Sequence, residues 1–297
     1  MKRLGMGSLV LVLGMFFLLG GCAKEASVSS DVNSRLDKLG KIIPVTRETG
    51  SGTRSSFGQA LGIHVDGAEE KDYITESAHT EESTEKVIKA VGEEKSAIGY
   101  VTYGTKLPEN GKVKEISVDG SYADDTSIEN DGYLLDRTLY LAVRGDKDPL
   151  KEDFLTFVTG KGQEIIKNYF VPVNDPKAVF LSERPSGTLR IHGSTSLAPV
   201  MEELASAYEK ENPDADIEIT VSDSAKGITD TLLDACDMAM VSRELYQYET
   251  SILTAVPVAK DGIRVIVNSE NPLEDISGKM LKDIYTGNKT LWKETKE

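Results

Sequence analysis

The chain has 297 residues, with 34 lysines and arginines against 49 aspartates and glutamates, and a formal net charge of −15. A chain this acidic is a poor partner for nucleic acid or for an anionic membrane surface. It contains only two cysteines, so no disulfide framework is predicted and apolar burial must stabilise the fold.

The N-terminus has the layout of a secretory signal peptide. Lys2 and Arg3 precede an apolar run over residues 9–19, and small residues then lead to Cys22. The pattern resembles a bacterial lipoprotein signal, which implies removal of residues 1–21, lipidation of Cys22 with palmitate, and anchoring to the extracytoplasmic face of the cell membrane. The alternative is a single transmembrane anchor, for which the run is short compared with the ~20 residues of a spanning helix.

The stretch after the predicted cleavage site is small and polar. Residues 22–39 show no hydrophobic period, and we expect them to form a flexible tether between the lipid and the fold. Beyond it, strand-like apolar runs alternate with amphipathic stretches, which predicts an α/β fold. In chain order the sequence predicts a helix over 81–91, strands over 97–101 and 138–143, helices over 150–159 and 162–170, an irregular connection over 174–187 and a strand over 216–221.

The segment Val45–Thr53 leads from an apolar run through Arg47 into small residues that open a helix. The unpaired N–H groups and positive dipole end of a helix's first turn favour an anion. Glycines let the backbone approach a ligand, hydroxyls add donors, and Arg47 supplies a permanently charged fork suited to phosphate or sulfate. The alternative is an ordinary capped helix start with a surface arginine.

Three further strand ends carry hydroxyl side chains toward the predicted start of a helix. Leu189–Ile191 leads into Gly193–Ser196, Asp216–Val221 leads into Ser222–Gly227, and Met238–Val241 leads into Ser242 and a predicted helix. In open α/β sheets, ligands bind beyond the carboxyl ends of strands. Four junctions of the same chemistry therefore predict one shared anion site.

These junctions resemble segments of the phosphate-binding lipoproteins of high-affinity phosphate ABC transporters. The resemblance rests on Arg47–Thr53, Ser96–Val101, Gly193–Pro199 and Asp237–Arg243. It implies a type II periplasmic-binding-protein fold of two α/β lobes, each a mixed sheet flanked by helices, with the ligand cleft between them. It also implies a solute-binding receptor, without enzymatic activity or cofactor, that captures inorganic phosphate and delivers it to the permease subunits of an ABC transporter.

The order of the segments differs from that family. There, the Gly-Ser-Thr-Ser segment opens the mature chain, a Gly-Lys-x-x-x-Trp segment stands in the middle, and the Arg to Gly-Ser-Gly-Thr segment follows. Here Gly287–Trp292 lies near the C-terminus and Lys41–Arg47 near the N-terminus, which predicts a circular permutation, tolerable where the original termini lie close together. The alternative is a truncated tandem protein with two incomplete domains.

The permuted order predicts how the chain divides into lobes. One lobe is expected to combine residues 40–132 with 263–297, and the other to be continuous over 133–262. Within the second lobe, residues 174–187 would join the family's usual termini. Strands near Tyr133–Arg137 and Val258–Ile263 are expected to link the lobes.

Carried over by position, the resemblance implies eight phosphate-binding residues. The first lobe would contribute Arg47, Ser51, Gly52 and Thr53, and the second Thr195, Ser196, Ser224 and Ser242. Several family members have an aspartate at the position of Ser242, which accepts the proton of phosphate and helps to exclude sulfate; shorter members share Ser-Arg-Glu with this chain.

Other residues can supply or neutralise charge near Ser242. Asp223 or Glu48 can take the role of proton acceptor, or each can be a solvated turn residue or a partner of Arg47. Arg243 can add positive charge at the site, or it can be a surface arginine.

The sequence offers little support for an enzyme. His64, His79 and His192 have no ligand-like spacing for a metal, and neither a Gly-x-Ser-x-Gly elbow nor a Walker-type loop is present. His192 can be a general base for Ser194 or Ser196, or simply a strand-end histidine. Besides a phosphate receptor, the sequence leaves open a receptor for sulfate or molybdate, or a surface sensor on the same fold.

Overall fold

The computed structural model describes residues 31–65, 71–109, 111–175 and 179–296. Its helices are α1 (residues 31–39), α2 (Gly52–Ala60), α3 (Thr84–Glu93), α4 (Asp125–Glu129), α5 (Pro149–Thr159), α6 (Gln163–Ile166), α7 (Ala198–Glu211), α8 (Ser224–Leu232) and α9 (Gly278–Tyr285), followed by a 3₁₀ turn at Trp292–Thr295. Its strands are β1 (Ile43–Arg47), β2 (His64–Val65), β3 (Lys71–Asp72), β4 (His79–Glu81), β5 (Ala97–Thr102), β6 (Val113–Val118), β7 (Asp136–Arg144), β8 (Val171–Pro172), β9 (Gly187–Ser194), β10 (Ala215–Ser222), β11 (Met238–Val241), β12 (Leu253–Asn268) and β13 (Asp275–Ile276).

One long strand organises the main sheet, whose order is β10-β9-β11-β7-β12-β5-β1-β4. Strand β12 has 16 residues. It pairs antiparallel with β7 up to Gly262, and from Ile263 onward it pairs with β5. We call the β5 side the first sheet half and the β7 side the second sheet half.

Both sheet halves mix parallel and antiparallel pairs, which agrees with the predicted mixed sheets. In the second half, β9 runs parallel to β10 and β11, whereas β7 runs antiparallel to β11. In the first half, β1 runs parallel to β4 and β5, and β5 runs antiparallel to β12. Parallel neighbours bring several strand ends, and the helix starts that follow them, to one edge.

Helix α7 illustrates how the apolar period positions these elements. Val200, Met201, Leu204 and Tyr208 recur at helical spacing in the sequence, and all four are buried in the core of the second half. One face of α7 is therefore packed against the sheet, and its N-terminus lies where β9 ends.

The C-terminal residues complete the core of the first half. Trp292 and Tyr285 lie in the same apolar cluster as Phe57 and Tyr100, whose rings stack with centroids 4.1 Å apart. The Trp292 indole N–H donates to the carbonyl of Ser96 over 2.9 Å. Residues from the N-terminal part of the chain, such as Phe57, therefore share one core with residues near the C-terminus, such as Trp292. The exact lobe boundaries and the circular permutation stay predictions.

Residues 31–39 are helical, in contrast to the tether expected over 22–39. Val32, Leu36 and Leu39 recur at helical spacing and contact the first-half core, with Leu36 only 2 % exposed. The few apolar residues of this stretch do recur with a helical period, and burial of their side chains stabilises the helix. Residues 1–30, including Cys22, lie outside the described residues, so the signal peptide and lipidation stay predictions.

Two predicted helices differ from the structure. The helix expected over 162–170 ends at Ile166, because the N–H groups of Asn168 and Tyr169 bond three residues back, to Ile165 and Ile166, instead of four. No helix follows Ser242, because Arg243 and the Tyr246 N–H both bond Glu249 and close a loop there instead. Across the described ranges, no helix is both long and apolar enough to cross a bilayer.

Candidate functional site

Hydroxyl side chains from both sheet halves meet where the strands end. The Thr53 hydroxyl, on the first turn of α2, lies 2.9 Å from the Ser196 hydroxyl, which follows β9. Gly52 lies so close to the second half that a Cβ there would stand 2.5 Å from Ser224 Oγ and 2.6 Å from Ser242 Oγ. Four predicted site positions, Gly52, Ser196, Ser224 and Ser242, are therefore neighbours of Thr53 or of one another.

Ser242 lies at the centre of this group. Its hydroxyl accepts a hydrogen bond from Ser194 over 3.0 Å and lies 3.3 Å from the Ser224 hydroxyl, to which its own N–H donates over 3.1 Å. We call Thr53, Ser194, Ser196, Ser224 and Ser242 the hydroxyl cluster; all five are buried. Ser194 is not among the eight predicted ligand residues, although it belongs to the Gly193–Ser196 motif.

Two helix N-termini point at the hydroxyl cluster. Gly52 and Ser224 are the first residues of α2 and α8, so the positive dipole ends of both helices adjoin the cluster, although the N–H groups of Ala225 and Lys226 are already bonded to Gly50 and Asp223. Ser51 caps α2 by accepting from the N–H of Arg54 over 3.4 Å. Ser51 is thus the N-cap of α2, as the capping alternative expects. A role of Ser51 in anion binding stays a prediction.

Arg47, the last residue of β1, is held rigidly, but its described side-chain hydrogen bonds do not reach the hydroxyl cluster. It is 2 % exposed, and its Nε and Nη2 each donate over 2.7 Å to a different oxygen of Glu48. A further bond runs from Nη2 to the carbonyl of Glu82. Of the roles considered for Glu48, the structure places it as the partner of Arg47. Asp223 instead caps α8 by accepting from the N–H of Lys226.

Arg243 is buried, so the expectation of a surface arginine is wrong. Its guanidinium forms two hydrogen bonds to Glu249 over 2.7 and 2.8 Å and lies 3.7 Å from the centre of the Tyr246 ring. Burial lowers the pKa of Arg243, but the hydrogen bonds and charge of Glu249 raise it, and the net shift is upward. Glu249 is only 3 % exposed, whereas Glu48, which pairs with Arg47 in the same way, is 22 % exposed; Arg243 is therefore the more completely enclosed of the two ion-paired cations.

Thr195 lies at the margin of the site. Its half-buried side chain lines a cavity of about 250 Å³ together with Ser196, Thr84 and Glu85. Because Ser196 also contacts Thr53, this cavity adjoins the hydroxyl cluster.

Further contacts join the sheet halves around the cluster. The Ala225 N–H donates to the carbonyl of Gly50 over 3.2 Å, and the Ser56 hydroxyl donates to the carbonyl of Ser242 over 3.1 Å. His64 Nε2 lies 3.2 Å from the Tyr246 hydroxyl. The arrangement is that of two halves closed upon each other.

The geometry does not favour a catalytic site. His192 Nδ1 lies 3.0 Å from an Asp230 carboxylate oxygen on α8, and the described hydrogen bonds of Ser194 and Ser196 do not include His192. Burial raises the pKa of the Cys236 thiol, which suppresses its nucleophilic form. Within the described parts of the chain, no group of three or more His, Cys, Asp or Glu residues could hold a metal ion.

Comparisons with known proteins point to one family. A model described as a PBP superfamily domain matches residues 178–297. Phosphate-binding protein PstS 2 of Streptococcus agalactiae serotype V is 36% identical over 300 residues, which cover 98% of each chain. PstS 2 of Streptococcus pneumoniae serotype 4 is 35% identical over 281 residues, which cover 94% of this chain and 96% of the relative.

A solved structure and a partial match extend the comparison. The phosphate-binding protein of a phosphate ABC transporter from Streptococcus pneumoniae TIGR4 has a TM-score of 0.70 and 36% identity, covering 86% of this chain and 100% of its own. PstS of Bacillus subtilis is 32% identical over only 115 residues, 38% of each chain. The segment order of this chain is shared by the relatives that align along nearly their whole length, because such an alignment preserves order.

Proposed function

This chain belongs to the family of the phosphate-binding protein PstS, and from that premise we propose that it captures inorganic phosphate between its two sheet halves. The bound anion is passed to the permease subunits of an ABC transporter. The proposed ligand shell consists of Arg47, Ser51, Gly52 and Thr53 from the first half and Thr195, Ser196, Ser224 and Ser242 from the second.

The convergence of the hydroxyl cluster with two helix N-termini is the observation that carries this proposal. Thr53 and Ser196 approach within 2.9 Å across the two halves, and Gly52 brings the α2 backbone against Ser224 and Ser242. Hydroxyl and backbone donors aimed into a desolvated space bind an oxyanion without a net positive charge on the protein. The acidic composition of the chain is therefore compatible with an anion ligand.

Arg47 supplies the permanent charge of the proposed site. Its two bonds to Glu48 fix the orientation of the guanidinium, and its burial keeps water from screening the charge. A dianion bound beside it would gain more from this charge than it would at an exposed arginine.

The proposed cellular setting follows from the N-terminal sequence and from the relatives. We propose that Cys22 carries the lipid that holds the protein at the extracytoplasmic face of the membrane, and that the protein acts as a receptor and not as an enzyme. The names of the relatives support the transport role.

A receptor for sulfate or molybdate is the second candidate. This candidate is favoured because no carboxylate bonds the serines of the hydroxyl cluster, and a carboxylate is what accepts the proton of phosphate and helps to exclude sulfate. In the described contacts, hydroxyl or backbone groups are the partners of Ser194, Ser196, Ser224 and Ser242. Exclusion of sulfate would then depend on a serine or threonine oxygen that accepts the phosphate proton.

Calorimetric titration of the mature protein with phosphate, sulfate and molybdate tests both candidates. We expect saturable, one-to-one phosphate binding that a large excess of sulfate does not displace. Tighter binding of sulfate or molybdate would favour the second candidate, and a folded protein that bound none of the three would contradict the transport proposal.

A further inference from the structure

An ion pair lies where β12 changes its strand partner. Arg137 on β7 and Asp261 on β12 are directly opposite each other in the antiparallel ladder. Arg137 Nε donates to Asp261 over 2.7 Å, and the side chains are 4 % and 0 % exposed. Two residues beyond Asp261, Ile263 pairs with Thr102 of β5.

Asp261 ties this pair to the first sheet half. Its carboxylate accepts from the Thr102 hydroxyl over 2.7 Å and from the Tyr103 N–H over 3.0 Å, where β5 ends. With Arg137, three donors therefore hold one buried carboxylate, and its orientation is set by residues of both halves.

Arg137 ties the same pair to the anion site. Its Nη1 donates to the carbonyl of Ser242 over 2.9 Å, and that carbonyl also accepts from the Ser56 hydroxyl of α2. Ser242 is the central member of the hydroxyl cluster, so one guanidinium contacts both the strand crossing and the backbone of the site.

A purely stabilising role does not account for this arrangement. Desolvation cancels much of the attraction in a buried ion pair, and an apolar pair of equal volume is often as stable. What an apolar pair lacks is a donor for the Ser242 carbonyl. Burial lowers the pKa of Arg137, Asp261 raises it, the positive charge of Arg47 lowers it further, and the net shift is downward.

We propose that Arg137 is a positioning residue for anion binding, which holds Ser242 in its binding conformation and couples it through Asp261 to the crossing between the sheet halves. Phosphate as the ligand rests on the proposed function. Arg137 acts through Ser242, because its described bonds are to Asp261 and to the Ser242 carbonyl.

Arg137→Lys is the informative variant, since a lysine retains the charge beside Asp261 but cannot bond the carboxylate and the Ser242 carbonyl with a rigid fork. Arg190→Lys is the matched control. Arg190 also bonds an aspartate, Asp237, and a backbone carbonyl, that of Ala235, but it is not bonded to the hydroxyl cluster. The double variant Arg137→Met with Asp261→Leu replaces the pair without leaving a buried charge unpaired.

Two measurements decide the inference. By calorimetry we expect Arg137→Lys and the double variant to weaken phosphate binding about tenfold or more, the loss typical of a missing charge-assisted bond, and Arg190→Lys to stay within about twofold. By hydrogen exchange on the ligand-free proteins, we expect residues 238–246 to lose amide protection in the two Arg137 variants and to keep it in the control.

The exchange measurement needs no ligand. Unchanged protection of residues 238–246 in Arg137→Lys, or an equal loss in Arg190→Lys, would overturn the inference. A wild-type protein that binds no phosphate would overturn the proposed function instead, and the exchange data would still decide whether Arg137 positions Ser242.

Discussion

At the scale of single residues, the candidate site depends on side chains that are small or rigidly held. Gly52 lets the backbone of α2 approach Ser224 and Ser242, and Glu48 fixes the guanidinium of Arg47. Size at Gly52 and charge at Arg47 can each be changed by one substitution. Each change gives a separate prediction.

Gly52→Ala should block closure of the two halves. The new Cβ would stand 2.5 Å from Ser224 Oγ and 2.9 Å from the backbone carbon of Ser242, too close for a real contact. Because these neighbours belong to the other half, opening relieves the clash, and alanine suits a helix better than glycine. We expect phosphate affinity to fall at least about 100-fold by calorimetry, well beyond the loss of one hydrogen bond, with an unchanged melting temperature without ligand.

Gly145→Ala is the control for that experiment, because a Cβ at Gly145 would meet no atom within 4 Å. It should bind phosphate like the wild type. Wild-type affinity in Gly52→Ala would mean that the halves do not close as the structure has them.

Arg47→Ala should weaken phosphate binding by roughly 30-fold or more, because a charged partner is lost from a desolvated site and Glu48 is left without its counter-charge. Arg190→Ala removes an arginine that is 42 % exposed and should leave the affinity unchanged. If the same titration gave equal affinities for the two variants, Arg47 would not be a phosphate-binding residue.

At the scale of elements, the start of α2 combines a structural and a proposed binding role in one residue. Ser51 caps the helix, is buried, and directly precedes the backbone that faces the hydroxyl cluster. Capping needs only an oxygen acceptor, whereas anion binding needs a donor or a neutral group. A carboxylate can therefore separate the two roles.

Ser51→Ala should lower the free energy of unfolding by about 1 kcal/mol, the usual loss of a helix cap, and should weaken phosphate binding. Ser51→Asp restores an acceptor for the N–H of Arg54 and should recover much of that stability, while its negative charge abolishes phosphate binding. Chemical denaturation and calorimetry measure the two effects. Retained binding in Ser51→Asp would limit Ser51 to capping.

The elements also show where local sequence signals were sufficient. Strands β5, β7 and β10 and helices α3 and α5 form where periodicity and capping predict them, with boundaries shifted by a few residues. The helix expected after Ser242 fails, since Arg243 bonds Glu249, six residues later, and stacks on Tyr246. A side-chain bond of this kind leaves no periodic signal in the sequence.

At the scale of the whole molecule, residues near both ends of the described chain lie together. Lys41 and Leu291 form an antiparallel bridge, and the Trp292 N–H donates to the carbonyl of Gly40 over 3.0 Å. Lys296 contacts Asp37 of α1 over 2.5 Å. A short linker can therefore connect residue 296 to residue 31.

A permutant that restores the family's usual order should fold and bind phosphate. We would join residues 296 and 31 by a flexible linker of about ten residues and open the chain between Leu181 and Ser182, where Leu181 is 87 % exposed. Circular dichroism and calorimetry should give wild-type helix content and an affinity within about threefold, because the cut falls beside an exposed residue of an irregular connection and interrupts no helix or strand.

The matched control opens the chain between Asp261 and Gly262, within the strand that both halves share, and should not fold. If both permutants failed alike, the connection over residues 174–187 would be a necessary part of the fold, contrary to the predicted permutation.

The sequence alone determined the local features of this protein: the α/β alternation, the hydroxyl residues at four strand ends, Arg47 before a glycine-rich helix start, and the family resemblance. These signals are local because strand ends and helix caps are set by neighbours in the chain. Only the tertiary structure decided which residues lie opposite one another. Arg137 meets Asp261 and Ser242 across more than 100 residues, because sheet pairing depends on the order of strands in space, which no short stretch of sequence encodes.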